Sequence, residues 1–176
     1  MDEEHALVSL GRTLVPGRAT GNHLALLEIH GSAGRGIVRH VHELEDEVVY
    51  VLDGELTFHI GEEVHRAREG SCLVLPRGIE HSYVVESGLA RLLVAVTPAG
   101  LEGIVEDVIR TDQVDVERLI TVAARYGITI TGPAPEIAGN GSPGSGATAP
   151  ESPPTACRVA RSARPGDEYR VRRSAR

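Results

Sequence analysis

Seven short runs of strand-forming residues lie between residues 6 and 97, each bounded by glycine or another turn signal, and this spacing predicts a β-sandwich or barrel. The runs are His23–His30, Gly36–His42, Glu47–Leu52, Leu56–Ile60, Ser71–Leu75, His81–Val85 and Ala90–Thr97. Asp53-Gly54, between two apolar runs, carries the composition of a tight hairpin turn, because glycine accepts positive φ. Gly61-Glu62 and Arg77-Gly78 are weaker signals of the same kind. Runs such as Val48-Val49-Tyr50-Val51-Leu52 and Leu92-Leu93-Val94-Ala95-Val96 are apolar on both faces. One face fills the barrel and the other needs a cover.

After Pro98 the period changes from two to that of a helix. Val116, Leu119, Ile120 and Ala123 form one stripe that stops at Gly127, which predicts a helix over residues 113–126. A shorter helix is expected near Leu101–Ile109, with Ile104, Val105, Val108 and Ile109 on its buried side. Helices here, or a second copy of the chain in a symmetric dimer, would cover an outer sheet face. From residue 133 the chain turns to Pro, Gly, Ser, Thr and Ala, then to an Arg-rich end, and residues 133–176 read as disordered. The organisation expected is therefore a barrel over 1–99, a helical extension over 100–132 packed on it, and a tail.

Charge separates along the same boundary. Residues 133–176 hold 7 Arg against 4 acids, so with −7 for the whole chain, residues 1–132 carry −10. Such a surface repels phosphate backbones and anionic headgroups, which argues against nucleic acid or membrane as partner. All 18 basic side chains are Arg, so no Schiff-base lysine is available. Cys72 and Cys157 are far apart and suggest no disulfide framework; Cys72, in an apolar run, reads as a small buried side chain. The acidic start Met1-Asp2-Glu3-Glu4 and the lack of a long apolar run predict neither a secretory signal nor a membrane span, and a reducing cytoplasm is the default.

His40 and His42 are two residues apart, so on a strand both imidazoles project from one face with the spacing of a chelate. The acidic link Glu43-Leu44-Glu45-Asp46 could turn the chain so that Glu47 returns to that face, and His81 follows the Pro76-Arg77-Gly78 turn. Imidazoles with one carboxylate suit Fe, Mn, Co, Ni, Cu or Zn and leave coordination positions open. Taken singly, each residue has an ordinary reading as a surface pair, a solvated acid or a turn-capping histidine. Strand parity adds Val38 to the face of His40 and His42, Val49 and Val51 to that of Glu47, and Tyr83 and Val85 to that of His81, so the surroundings should be apolar. Arg39 falls on the opposite parity, while Arg77 and Arg91 are candidate partners for a carboxylate or enolate. His59 alternates with Leu56, Phe58 and Ile60 and should point away from them; His5, His23, His30 and His65 carry no site role. The glycines of Gly31–Gly36 lack the lysine and helix of a phosphate loop and read as a tight turn.

The intervening residues supply a frame. Gly34, five residues, His40-Val41-His42, four residues, Glu47, six residues and Gly54 are followed, after fifteen residues, by Gly70, five residues, Pro76-Arg77-Gly78, two residues and His81. This order resembles both halves of the cupin motif, over residues 22–97. The resemblance implies a mainly all-β fold, an antiparallel jelly-roll barrel, usually dimeric. It also implies one divalent metal ion, of unspecified identity, held by His40, His42, Glu47 and His81. One position departs: where the second half often ends in Asn, this chain has Val85. Similarity to quercetin 2,3-dioxygenase-like cupins implies a dioxygenase acting on a small, largely apolar enol or phenol with O2, Glu47 being ligand and base and Tyr83 a hydrogen-bond donor. Similarity to small polyketide-cyclase-like cupins implies instead a zinc-dependent cyclase or isomerase. A non-catalytic ligand-binding cupin is the third reading.

Overall fold

A computed structural model describes residues 11–109, 116–137 and 158–159. In chain order the elements are β1 (Gly11–Val15), β2 (Ala25–Ser32), β3 (Gly36–His42), β4 (Asp46–Asp53), β5 (Glu55–Ile60), β6 (Glu63–Arg68), β7 (Cys72–Leu75), β8 (His81–Val85), β9 (Leu89–Thr97), α1 (Glu102–Ile109), α2 (Val116–Arg125), β10 (Ile128–Gly132) and β11 (Arg158–Val159). They form a six-stranded sheet, β1-β2-β9-β4-β7-β11, and a five-stranded sheet, β10-β3-β8-β5-β6. All pairs are antiparallel except β11 with β7. This is the antiparallel jelly-roll barrel expected from the motif.

Alternation along the strands builds the interior. Ala90, Leu92, Val94 and Val96 of β9 point inward and meet Leu56, Phe58 and Ile60 of β5 across the barrel, while Leu89 and Arg91 face out. Phe58 is fully buried, and each such side chain stabilises the fold by roughly 1.5–3 kcal/mol. His59 is only partly buried between its buried neighbours, as parity requires.

The turn at Asp53-Gly54 is not a hairpin. It carries the chain from β4 in one sheet to β5 in the other, and the two strands do not pair. Gly54 has φ +91°, and a Cβ there would run into the carbonyl oxygen of Leu89, so both conformation and space require glycine at this corner. The dipeptide reports a tight turn faithfully, but not whether the strands on either side share a sheet.

The helices also differ in placement from the expectation. Leu101, Ala123 and Ile128 belong to the same buried cluster as the barrel interior, so the helical segment closes the barrel rather than covering an outer sheet face. Glu102 Oε1 accepts the Gly17 N–H at 2.8 Å, and Tyr126 donates its hydroxyl to Asp107 at 2.8 Å, fastening α1 at both ends. On α2 the buried residues are Leu119, Val122 and Ala123, whereas Ile120 is 47% exposed. The stripe is i, i+3, i+4 from Leu119, which leaves Ile120 on the far side. The side chains of Val108, Ile109 and Val116 lie outside the described residues, as do residues 110–115. After Gly127 the chain re-enters the barrel as β10, pairing with β3.

Most of the segment read as disordered, 138–157 and 160–176, lies outside the described residues. Arg158–Val159 does not conform to that reading, because it adds a parallel strand to Leu73–Val74. The reading of Cys72 as simply a small buried side chain is also corrected. Cys72 is half-buried and disulfide-bonded rather than a free thiol, and the sequence holds one other cysteine, Cys157, outside the described residues. Among the described residues no helix is long and apolar enough to cross a membrane.

Candidate metal centre

Two sheets contribute to one cluster. His40 and His42 project inward from β3, and the pairing of β3 with β8 sets His40 directly opposite His81. Glu47 comes from β4 in the other sheet, where it pairs with Leu75 and Val96, and its carboxylate crosses the barrel interior. All three histidines are buried, with candidate ligand atoms within 4.8 Å of one another. His40 Nε2 lies 3.1 Å from His42 Nε2; Glu47 Oε1 is 3.3 Å from His42 Nε2, and Oε2 is 3.8 Å from His81 Nε2. The four residues singled out by spacing are thus brought together.

The hydrogen bonds on the far side of the rings decide which nitrogens are free to bind. His40 Nδ1 donates to the Val38 carbonyl at 2.8 Å and His81 Nδ1 to the Ile79 carbonyl at 2.9 Å, which leaves an Nε2 lone pair on each. His81 Nε2 is buried without any hydrogen-bond partner. Ligands at right angles on one ion with bonds of 2.0–2.1 Å stand about 2.9 Å apart, close to the His40–His42 separation. Convergent lone pairs, one of them orphaned, beside a carboxylate are a donor set that fits a divalent transition ion.

Electrostatics supports the same reading. Burial pushes His81 well below the usual histidine range, with His40 and His42 adding to it, and lowers His40 as well. Burial, then the neighbouring His40, brings His42 down to about 3. All three imidazoles are therefore neutral at physiological pH, the form that binds metal. Burial and then Glu45 raise Glu47 to about 7. For the metal-free protein the signs are opposed. The histidines favour the fold above the ordinary pKa of 6.5 and lose that contribution as pH falls. Glu47 favours it below 4.5 and loses its contribution as pH rises through about 7. Three groups outweigh one, so thermal unfolding of metal-free protein is expected to shift to lower temperature on going from pH 7 to pH 5.

The cluster opens into a cavity of about 150 Å³. Its walls include Leu27, Val49 and Val94 from the strands, and Ile104, Val105 and Leu119 from the helices. Tyr83 also lines it, its ring 5.3 Å from that of Phe58. Val38 faces the cavity as parity predicts; Ile37 does too, because the β3–β8 register shifts between Ile37 and His40. Among the described residues no arginine lines it. Arg77 is bound to Asp46 at 2.8 and 3.1 Å, and Arg91 lies on the outer face 3.8 Å from Glu28, so neither is an anion partner within the cavity.

One buried carboxylate was not distinguishable in the sequence. Glu45 sits in the acidic link, yet it is 5% exposed, and burial raises its pKa. Its Oε2 lies 3.9 Å from His42 Nδ1.

Comparison with known proteins places this geometry in context. The family profile described as "Cupin domain" matches residues 27–96. Quercetin 2,3-dioxygenase of Bacillus subtilis (strain 168) is 32% identical over 77 residues, which are 44% of this chain and 23% of that protein. The chain thus spans less than a quarter of that relative's length. Among solved structures, KdgF from Halomonas sp. is similar with a TM-score of 0.48 at 19% identity, covering 51% of this chain and 78% of that one. The polyketide cyclase RemF from Streptomyces resistomycificus gives 0.44 at 26% identity, covering 49% and 63%.

Proposed function

We propose, on the match of residues 27–96 to the cupin domain, that the chain holds one divalent transition-metal ion through His40, His42, Glu47 and His81, and is a dioxygenase acting on a small, largely apolar enol or phenol. The observation that carries this reading is the convergence of four donors at the base of an apolar cavity. The 32% identity to a quercetin 2,3-dioxygenase supports the choice of reaction class.

A divalent ion at this position would supply Lewis acidity and, if redox-active, electron exchange with O2. The chain's own groups do the rest. Glu47 would serve as both ligand and base, accepting the proton of the enol or phenol on its carboxylate. Tyr83 donates a hydrogen bond to a substrate oxygen. The leucine, isoleucine and valine walls exclude water and hold the organic skeleton.

The cavity also bounds the substrate. Its volume of about 150 Å³ matches that of an engineered cavity known to take up benzene. A single ring with short substituents fits, whereas a three-ring flavonol would require the α1 and α2 walls to move. With no inward cation among the described residues, a sugar phosphate or dicarboxylate would leave its charge unpaired.

The test is to supply metal-reconstituted protein with single-ring phenols and enols, with and without oxygen. Oxygen-dependent consumption of one of them is expected. Turnover that persists anaerobically would overturn the dioxygenase reading and indicate a metal-dependent cyclase or isomerase. Binding without turnover in either atmosphere would indicate a ligand-binding cupin.

A further inference from the structure

Each of the three histidines has one ring nitrogen turned toward the cluster and one turned away, and the outward nitrogens are not treated alike. Those of His40 and His81 donate to the carbonyls of Val38 and Ile79, each two residues earlier in the chain. His42 has no such carbonyl. Its Nδ1 is buried without a partner, and so is Glu45 Oε2, 3.9 Å away. Two buried polar atoms without partners, 3.9 Å apart on one short turn, each carry an uncompensated desolvation cost, and a shift of about 1 Å would satisfy both.

We propose that Glu45 is the positioning residue of His42. Its carboxylate accepts the His42 Nδ1–H, fixes the tautomer with the Nε2 lone pair directed at Glu47 and His40, and so completes the outer set that the two carbonyls begin. The inference rests on the reading of His42 as a metal ligand. Outer carboxylates of this kind orient ligating imidazoles and raise their basicity. The three-residue step from His42 to Glu45 is what allows it: the link turns within that distance, and both side chains face the interior with side-chain exposures of 2% and 6%.

The test uses full-length, metal-free protein titrated with zinc against a chromophoric chelator, comparing wild type with Glu45→Ala and Glu45→Gln. Zinc affinity should fall 10- to 100-fold in Glu45→Ala, and Glu45→Gln, whose amide oxygen still accepts, should recover most of it. Thermal unfolding of metal-free Glu45→Ala should stay close to that of wild type, since loss of the hydrogen bond to His42 is offset by removal of a carboxylate that burial disfavours. Imidazole nitrogen NMR should show the His42 Nδ1–H lost in Glu45→Ala while those of His40 and His81 persist. Wild-type zinc affinity in Glu45→Ala would overturn the proposal, as would a loss matched by earlier unfolding and disturbance of all three rings. If wild type took up no zinc, the metal reading would fail. The His42 tautomer in wild-type and Glu45→Ala metal-free protein would then still decide the role of Glu45.

Discussion

Replacing His81 by alanine is expected to weaken zinc binding by well over a hundredfold, beyond the 10- to 100-fold range of an outer partner. The reason is geometric. His81 is the donor contributed by β8, its Nε2 is buried without a partner, and Glu47 Oε2 lies 3.8 Å from it. Removing it leaves two imidazoles from β3 and a carboxylate from the opposite sheet, too few and too one-sided to enclose an ion. His59→Ala is the matched control. His59 pairs with Ser82, the residue after His81, but lies on the outward parity of β5, so its removal should leave zinc affinity unchanged. Competition titration of both variants against wild type measures the difference. Equal affinities for His81→Ala and His59→Ala would refute the assignment.

The second large effect is on turnover. Glu47→Gln keeps the size of the side chain and one oxygen donor but cannot accept a proton, so the rate on a single-ring phenol should fall by 10²- to 10⁴-fold. Zinc affinity should fall far less than in His81→Ala. A decrease confined to KM would mean that Glu47 only binds substrate. Unchanged kcat would remove it from the chemistry and leave it a metal ligand alone.

Much of this was legible in the sequence because strands and turns leave local marks. His40-Val41-His42 on an extended run fixes two rings on one face, and Gly34, Gly54, Gly70 and Gly78, the glycines of the motif, all have positive φ. A residue that must be glycine for conformational reasons is visible without any knowledge of its neighbours. What could not be read depends on long-range packing. The apolar stripe of α2 identifies its buried side, but not that this side closes the barrel instead of covering an outer sheet. Asp53-Gly54 announces a turn without revealing that its flanks belong to different sheets. Glu45 looks like any acid in a solvated link until the fold buries it against His42. Ile128-Thr129-Ile130-Thr131 does carry the apolar–polar alternation of β10, and it follows directly on the helix stop at Gly127. The pairing of β11 with β7 joins residues more than eighty positions apart, which no local pattern records.

The most direct test of the account is anomalous diffraction from crystals of protein loaded with zinc or manganese. One strong peak is expected, bonded to His40 Nε2, His42 Nε2, His81 Nε2 and a carboxylate oxygen of Glu47, at about 2.0–2.2 Å for zinc. A peak elsewhere, or an ion that leaves Glu47 or any one of the three histidines unbound, would contradict it.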